Sequence, residues 1–416
     1  MVIWVFDGIF TFKGKTMKRT LISMAVAALA AASTGAGAAD QSAVKIGFIT
    51  DMSGLYADID GQGGLEAIKM AVADFGGSVL GKKIDIVSAD HQNKADIAAS
   101  KTREWVDQDG VTVIFGGTNS GTALATAKVA SEKKRIYINN GAGTSALTNE
   151  QCSPYTIHYT YDTIALANGS AKGMIDKGLK SWYFLTADYA FGYALEKDAS
   201  AVVTANGGKV LGSVKHPLSA SDFSSYLLQA QSSKAQVLGL ANAGGDTINS
   251  VKAANEFGIT KTMKLAGLLV FITDVHAMGV QNAQGLLATT AWYWDQNDQS
   301  RAFAKRYFEK MKRMPSMVQA GDYSSTMAYL NAVKAAGTTD SDKVMEQLRK
   351  VKINDMFTKN GYIRKDGTMV HDMYLYEVKA PKEVESPWKY YKLVSTLPGD
   401  KAFPIPADSK CALLNK

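Results

Sequence analysis

Two stretches place hydroxyls, amides and bare glycines where apolar runs end. Residues 111–115 (VTVIF) lead into Gly116-Gly117-Thr118-Asn119-Ser120-Gly121-Thr122, and residues 136–138 (IYI) lead into Asn139-Asn140-Gly141-Ala142-Gly143-Thr144. Hydroxyls and unencumbered backbone N–H groups hold an anionic or polar group without bringing a charge of their own. That chemistry suits gripping a small ligand, not transforming it. Nothing nearby supplies a nucleophile with its base: in Gly117-Thr118-Asn119-Ser120-Gly121 the serine stands one place too late for a G-x-S-x-G elbow. P-loop, H-E-x-x-H and C-x-x-C patterns are absent too. Gly141-Ala142-Gly143-Thr144-Ser145-Ala146 matches G-x-G-x-x-A, but residues 149–154 break the helix that must receive a pyrophosphate. No cofactor is expected. His91, His158, His216, His276 and His371 stand at no ligand spacing, so no metal site is expected either.

Loops of this kind need a rigid frame, and the patterning supplies a parallel sheet. Strand-like runs at 44–49, 83–89, 111–115 and 136–138 alternate with helical periodicity at 64–74, 95–107 and 123–134. Strands separated by helices of this size imply a sheet covered on both faces. The alternation restarts near residue 160. Strands are expected at 182–186, 209–215, 236–241, 263–270 and 285–291, with helices at 189–206, 223–232 and 247–257 between the earlier ones. Helices at 300–312, 323–337 and 341–351 and a hairpin of 374–378 with 389–394 follow. At 416 residues the chain exceeds one ordinary core, and two α/β units of similar layout result.

The N-terminus reads as an address. Met17-Lys18-Arg19 opens a basic region, residues 21–32 are apolar but too short to span a bilayer, and Gly37-Ala38-Ala39 offers small residues for cleavage. Residues 1–39 carry Lys13, Lys15, Lys18 and Arg19 against Asp7, so the net charge of +7 falls to +4 on cleavage. The remaining surplus forms no basic block, which disfavours a nucleic-acid partner. Cys152 and Cys411 both remain after cleavage. In an exported chain such a pair is expected as a disulfide, the alternative being two buried thiols.

In order and spacing, KIGFITDMSG, FGGTNSGTALA, INNGAGTSALT and ADYAFG resemble periplasmic solute-binding proteins of the leucine/isoleucine/valine-binding type, which feed ABC importers. The likeness spans about residues 44–394. It implies two Rossmann-like α/β lobes with parallel sheets joined by three crossings, with a ligand enclosed between them. Lobe I would comprise 43–160 plus 292–370, lobe II 161–291 plus 371–397, and a tail 398–416. It further implies that Asn119, Ser120, Gly121 and Thr122 hold a ligand carboxylate. Ala142, Gly143 and Thr144 would give a carbonyl and a hydroxyl to an α-ammonium, and Tyr56 would line the pocket. The implied protein is a periplasmic monomer, not an enzyme, and its partner is an inner-membrane permease.

The chain departs from that pattern where amino-acid specificity is set. The family's Tyr-Gly pair is Phe191-Gly192 here, with Tyr189 two residues earlier; an expected tyrosine falls at Asn242-Ala243; the expected acid falls at Leu269. A buried ammonium without a carboxylate costs several kcal/mol. Either Asp188, Asp246 or Asp274 replaces the acid, or the ligand is an aromatic or aliphatic carboxylate with no ammonium. A sensory module of the same fold and an exported hydrolase are the alternatives from other classes.

Overall fold

The structure, a computed structural model, describes residues 43–414. The signal-peptide reading therefore lies outside the described residues.

The first α/β unit runs β1 (Ala43–Thr50), α1 (Gly61–Phe75), β2 (Ser78–Val79), β3 (Lys82–Asp90), α2 (Ala95–Asp107), β4 (Val111–Gly116), α3 (Ser120–Glu132), β5 (Ile136–Asn139) and β6 (Thr156–His158). Its sheet has the order β2-β3-β1-β4-β5-β6, parallel apart from β2. The central strands are buried on both faces, which is why they read as continuous apolar runs. Register decides where the polar loops go. Thr50 pairs with Asp90, Ile49 with Gly116, and Gly116 with Asn139, so the carboxyl ends of four strands lie in line.

The second unit begins with α4 (Thr163–Leu166), a π-helical turn at Ala167–Ala171 and α5 (Lys172–Asp176). It continues through β7 (Ser181–Ala187), α6 (Ala190–Ala205), β8 (Lys209–His216), α7 (Ser224–Ser232), β9 (Val237–Ala241), α8 (Gly245–Glu256), β10 (Lys264–Gly267), α9 (Ile272–Met278), α10 (Val280–Ala283) and β11 (Leu287–Thr290). Its parallel sheet has the order β10-β9-β7-β8. The expected strand at 263–270 stops at Gly267. Beyond it Asp274 accepts from the Phe271 N–H at 2.9 Å and starts α9 instead, a helix the sequence patterning missed.

The last third is shared. α11 (Asp298–Met311) and α12 (Met317–Ala336) pack on α1, and α13 (Ser341–Lys350) packs on α12. α12 starts six residues before the expected 323, because Ser316 and Gln319 form a capping box that the polar first turn disguised. β12 (Tyr362–Ile363) and β13 (Met369–Val370) pair with each other, and Thr368 bridges to His158 at the end of the first sheet. The chain then crosses back: β14 (Met373–Val378) pairs antiparallel with both β11 and β15 (Tyr391–Leu397) beside the second sheet. Cys152 and Cys411 form a disulfide with a Cα separation of 5.6 Å, and Asn149 Oδ1 accepts from the Lys410 N–H at 2.6 Å. The tail is thereby tied to the loop after β5.

Candidate binding cleft

The first polar loop leaves β4 by a turn that only glycine permits. Gly116 and Gly117 have φ of 111° and 95°. A Cβ on Gly116 would stand 2.3 Å from the Ile49 carbonyl oxygen. Asn119 then caps α3, its Oδ1 accepting from the N–H groups of Gly121 (2.9 Å) and Thr122 (3.2 Å). The Thr122 hydroxyl donates to the Asn119 carbonyl at 2.8 Å. The two N–H groups and the hydroxyl that the resemblance offers to a carboxylate thus have intramolecular partners. Ser120 is placed differently: its Oγ accepts from the Thr144 N–H at 3.3 Å, so one serine joins the two loops and keeps its own proton to donate.

The second loop is fastened by side chains of neighbouring strands. Asn139 grips both backbone groups of Ala142, donating to its carbonyl at 2.7 Å and accepting from its N–H at 3.2 Å. His158 Nε2 also lies 2.8 Å from the Ala142 oxygen; a carbonyl can only accept, so Nε2 carries the proton. Burial pushes His158 down to about 4 and keeps it neutral. The Ala142 oxygen, assigned by resemblance to an ammonium, therefore already accepts two hydrogen bonds, one for each lone pair. Thr144 Oγ1 accepts weakly from the Ala146 N–H at 3.4 Å, which leaves its hydroxyl proton available. Neither Asn139 nor His158 was singled out from the sequence as a site residue.

Across the cleft the wall is aromatic. Tyr189 precedes α6 in an extended conformation, and Phe191 lies in the first turn. A Cβ on Gly192 would be 2.0 Å from the Ala187 oxygen, so this glycine lets α6 settle on the end of β7. Phe191 reaches the opposite loop: a Cβ on Gly143 would lie 2.9 Å from its ring and 3.2 Å from that of Tyr161. Tyr161 donates to the Gly141 carbonyl at 2.5 Å and packs edge-on against Phe271. Tyr56, held by its N–H to Asp51 Oδ2 at 2.9 Å, places its hydroxyl 2.7 Å from that of Tyr189. Burial pushes both phenols far up, so both stay protonated. Leu55 and Tyr56 pack directly on Gly244 and Gly245. A second link runs from the Ser145 hydroxyl to Asp198 of α6 at 2.9 Å, and Thr163, on the same side of the cleft as Asp198, donates to that carboxylate at 2.6 Å.

The remaining predicted residues lie in this second lobe. Leu269 is buried in the same apolar cluster as Phe191, Phe271 and Trp292. Asn242 is turned into its own lobe: its amide contacts His216 and Ser250, and its oxygen accepts from Thr247 at 2.8 Å. Of the three acids, Asp188 accepts from Tyr193, and Asp274 caps α9. Asp246 accepts from the Ser219 N–H at 3.1 Å and is pushed up to about 6 by burial; its Oδ1 is buried without a partner. A cavity of about 520 Å³ lies elsewhere, between α12 and α13, and contains none of these residues.

Comparison with known proteins places this geometry. The profile of the periplasmic binding protein family matches residues 43–383. The crystal structure of a periplasmic binding protein from Burkholderia mallei is 68% identical, with a TM-score of 0.88 over 89% of this chain and 99% of that one. A branched chain amino acid ABC transporter periplasmic ligand-binding protein from Burkholderia xenovorans is 40% identical, with a TM-score of 0.80 over 89% and 99%. A solute binding protein of an ABC transporter from Rhodopseudomonas palustris, solved with 3,4-dihydroxybenzoic acid, is 25% identical, with a TM-score of 0.77 over 86% and 98%.

Proposed function

Because the chain belongs to the periplasmic binding protein family, a family of solute receptors and not of enzymes, we propose that it is the periplasmic receptor of an ABC importer and captures a small carboxylate that lacks an ammonium group. The single observation that carries this reading is the Ala142 carbonyl. Its two lone pairs are taken by Asn139 and His158, and Leu269 stands where the resemblance expects an acid. An ammonium entering here would meet neither acceptor, at a cost of several kcal/mol. The hydroxyls of Ser120 and Thr144 would hold the carboxylate, and Tyr56, Tyr189 and Phe191 would enclose its aromatic or aliphatic body. We take residues 43–160 plus 292–370 as one lobe and 161–291 plus 371–397 as the other. The partner is an inner-membrane permease.

Two relatives frame the test. The Rhodopseudomonas protein was solved with a hydroxylated benzoate, and the 40%-identical one is named for branched chain amino acid transport. A ligand at a hundredfold its Kd stabilises the folded form by about 2.7 kcal/mol. Benzoate-type and short aliphatic acids are expected to raise the melting temperature, while leucine, isoleucine and valine leave it unchanged. A shift with the amino acids alone overturns the proposal. It would favour a second reading, in which the unpartnered Oδ1 of Asp246 receives an ammonium beside Tyr56 and Tyr189. Mass spectrometry of denatured protein identifies any ligand that copurifies.

A further inference from the structure

Three segments of the first lobe carry groups assigned to the ligand, and all three converge on one buried pair of carboxyls. Asp60 ends the loop that bears Tyr56, and its Oδ2 accepts from the Thr50 hydroxyl at 2.8 Å. The same Thr50 oxygen lies 3.3 Å from the Thr118 hydroxyl, next in sequence to Asn119. Asp322, on α12, accepts from Asn140 Nδ2 at 2.6 Å, and Asn140 lies in the loop of Ala142 and Thr144.

Each carboxyl has one further oxygen. Asp60 Oδ1 and Asp322 Oδ2 are buried and accept from no other group among the described residues. They are neighbours: a single Cβ built on Gly64 would stand 1.8 Å from the first and 2.6 Å from the second. The phenols of Tyr137 from β5, Tyr161 after β6 and Tyr307 from α11 lie close enough to feel the charge of Asp60, though Tyr137 and Tyr161 give their protons to the Gly116 and Gly141 carbonyls. Arg313, beyond Tyr307, is paired with Asp58 at 2.5 Å. Tyr307 Oη is likewise buried without a partner among the described residues, so its proton reaches neither oxygen. Two carboxylates in contact without a cation cannot both ionise, whereas one proton between them makes a hydrogen bond.

We infer that Asp60 and Asp322 share a proton in the folded protein, and that this acid pair is the positioning device that fastens the three ligand-bearing segments of the first lobe to α12. The inference rests on the assignment of those segments to the ligand. Burial pushes both carboxyls up, and the charge of Asp60 pushes Asp322 further. The native chain thus keeps a proton that the unfolded chain releases near pH ~4. The stabilisation from that proton is complete below pH ~4 and is lost as pH rises toward the raised value.

The test is thermal and denaturant unfolding of the full chain from pH 5 to 8, comparing wild type with Asp322→Asn. Asparagine accepts from Asn140 and donates to Asp60 without titrating. The folding constant of wild type should fall about tenfold per pH unit relative to Asp322→Asn. Parallel pH profiles overturn the proposal. For the positioning role, hydrogen exchange at pH 7 is measured in residues 53–56, 118–122 and 141–144. It should accelerate in Asp322→Ala and return to the wild-type rate in Asp322→Asn; unchanged exchange in the alanine variant overturns that role. If the alanine variant does not fold, the pH profiles still decide. Failure of the carboxylate reading would appear separately, as benzoate leaving the melting temperature unchanged while both of these results stand.

Discussion

On the first lobe's face of the cleft, side-chain amides and a neutral histidine fasten the backbone; on the second lobe's face, aromatic rings close over it. Asn119, Asn139 and His158 occupy most of the groups that the loops present. The hydroxyls of Ser120 and Thr144 accept from backbone N–H groups and keep their own protons to donate. The opposite face offers Phe191, Phe271 and Leu269 with the Tyr189 hydroxyl, which meets that of Tyr56 from the first lobe; this wall imposes shape more than polarity. On the proposed reading, the difference would let one lobe recognise the charged end of the ligand and the other its body. On that reading, a change in the body's chemistry would call for changes in the second lobe, where the sequence departs from the pattern that the resemblance implies.

The strongest way to break that division is to keep the faces apart. Gly143→Val would push a side chain into the Phe191 and Tyr161 rings, and overpacking of this kind costs about 3 kcal/mol. We expect more than a hundredfold loss of affinity by calorimetry with a native circular dichroism spectrum. Wild-type affinity would mean that the rings yield and that the seam does not define the site. Ser120→Ala tests the polar face alone: losing a hydrogen bond to a charged group should cost about 2 kcal/mol of binding, read as a rise in Kd with little change in melting temperature.

The fastening itself has a pH signature. His158 is neutral when folded, with its pKa lowered to about 4 by burial. The stability tied to the neutral ring is present above about 6.5, the unfolded value, and is lost as pH falls toward about 4, at about 1.4 kcal/mol per pH unit. His158→Gln should remove that part of the acid slope in denaturant titrations; an unchanged slope places the titration elsewhere. The smallest expected effect is Tyr189→Phe, which removes the partner of the Tyr56 hydroxyl across the cleft. About 1 kcal/mol of binding should be lost, chiefly as faster dissociation in stopped-flow measurements. No change in the off-rate would show that the hydroxyl pair does not latch the lobes.

Much of the frame was legible because its causes are local. The apolar runs at 111–115 and 136–138 are strands, and the glycines after β4 sit where φ is positive. Elements were missed where a polar first turn hid a helix start, at Ser316 and at Asp274. The site was legible as two hydroxyl loops and an aromatic helix start. Its hydrogen-bond assignments were not, because Asn119 takes up N–H groups that the loop composition made look free.

By itself the sequence determined the alternation of strands and helices, the neutral chemistry of the loops, the lack of a nucleophile with its base, and the apolar residue at 269. Each of these depends on residue type or on neighbours a few positions away. Tertiary structure alone decided which donors remain for a ligand, that Asn242 turns inward while Tyr189 faces Tyr56, and that Asp60 meets Asp322. His158 reaches Ala142, and Asn140 reaches α12, only once the sheet is in register and α12 has returned to cover α1. Hydrogen bonds are short-ranged, so which buried group finds a partner is set by the packed geometry and not by spacing along the chain.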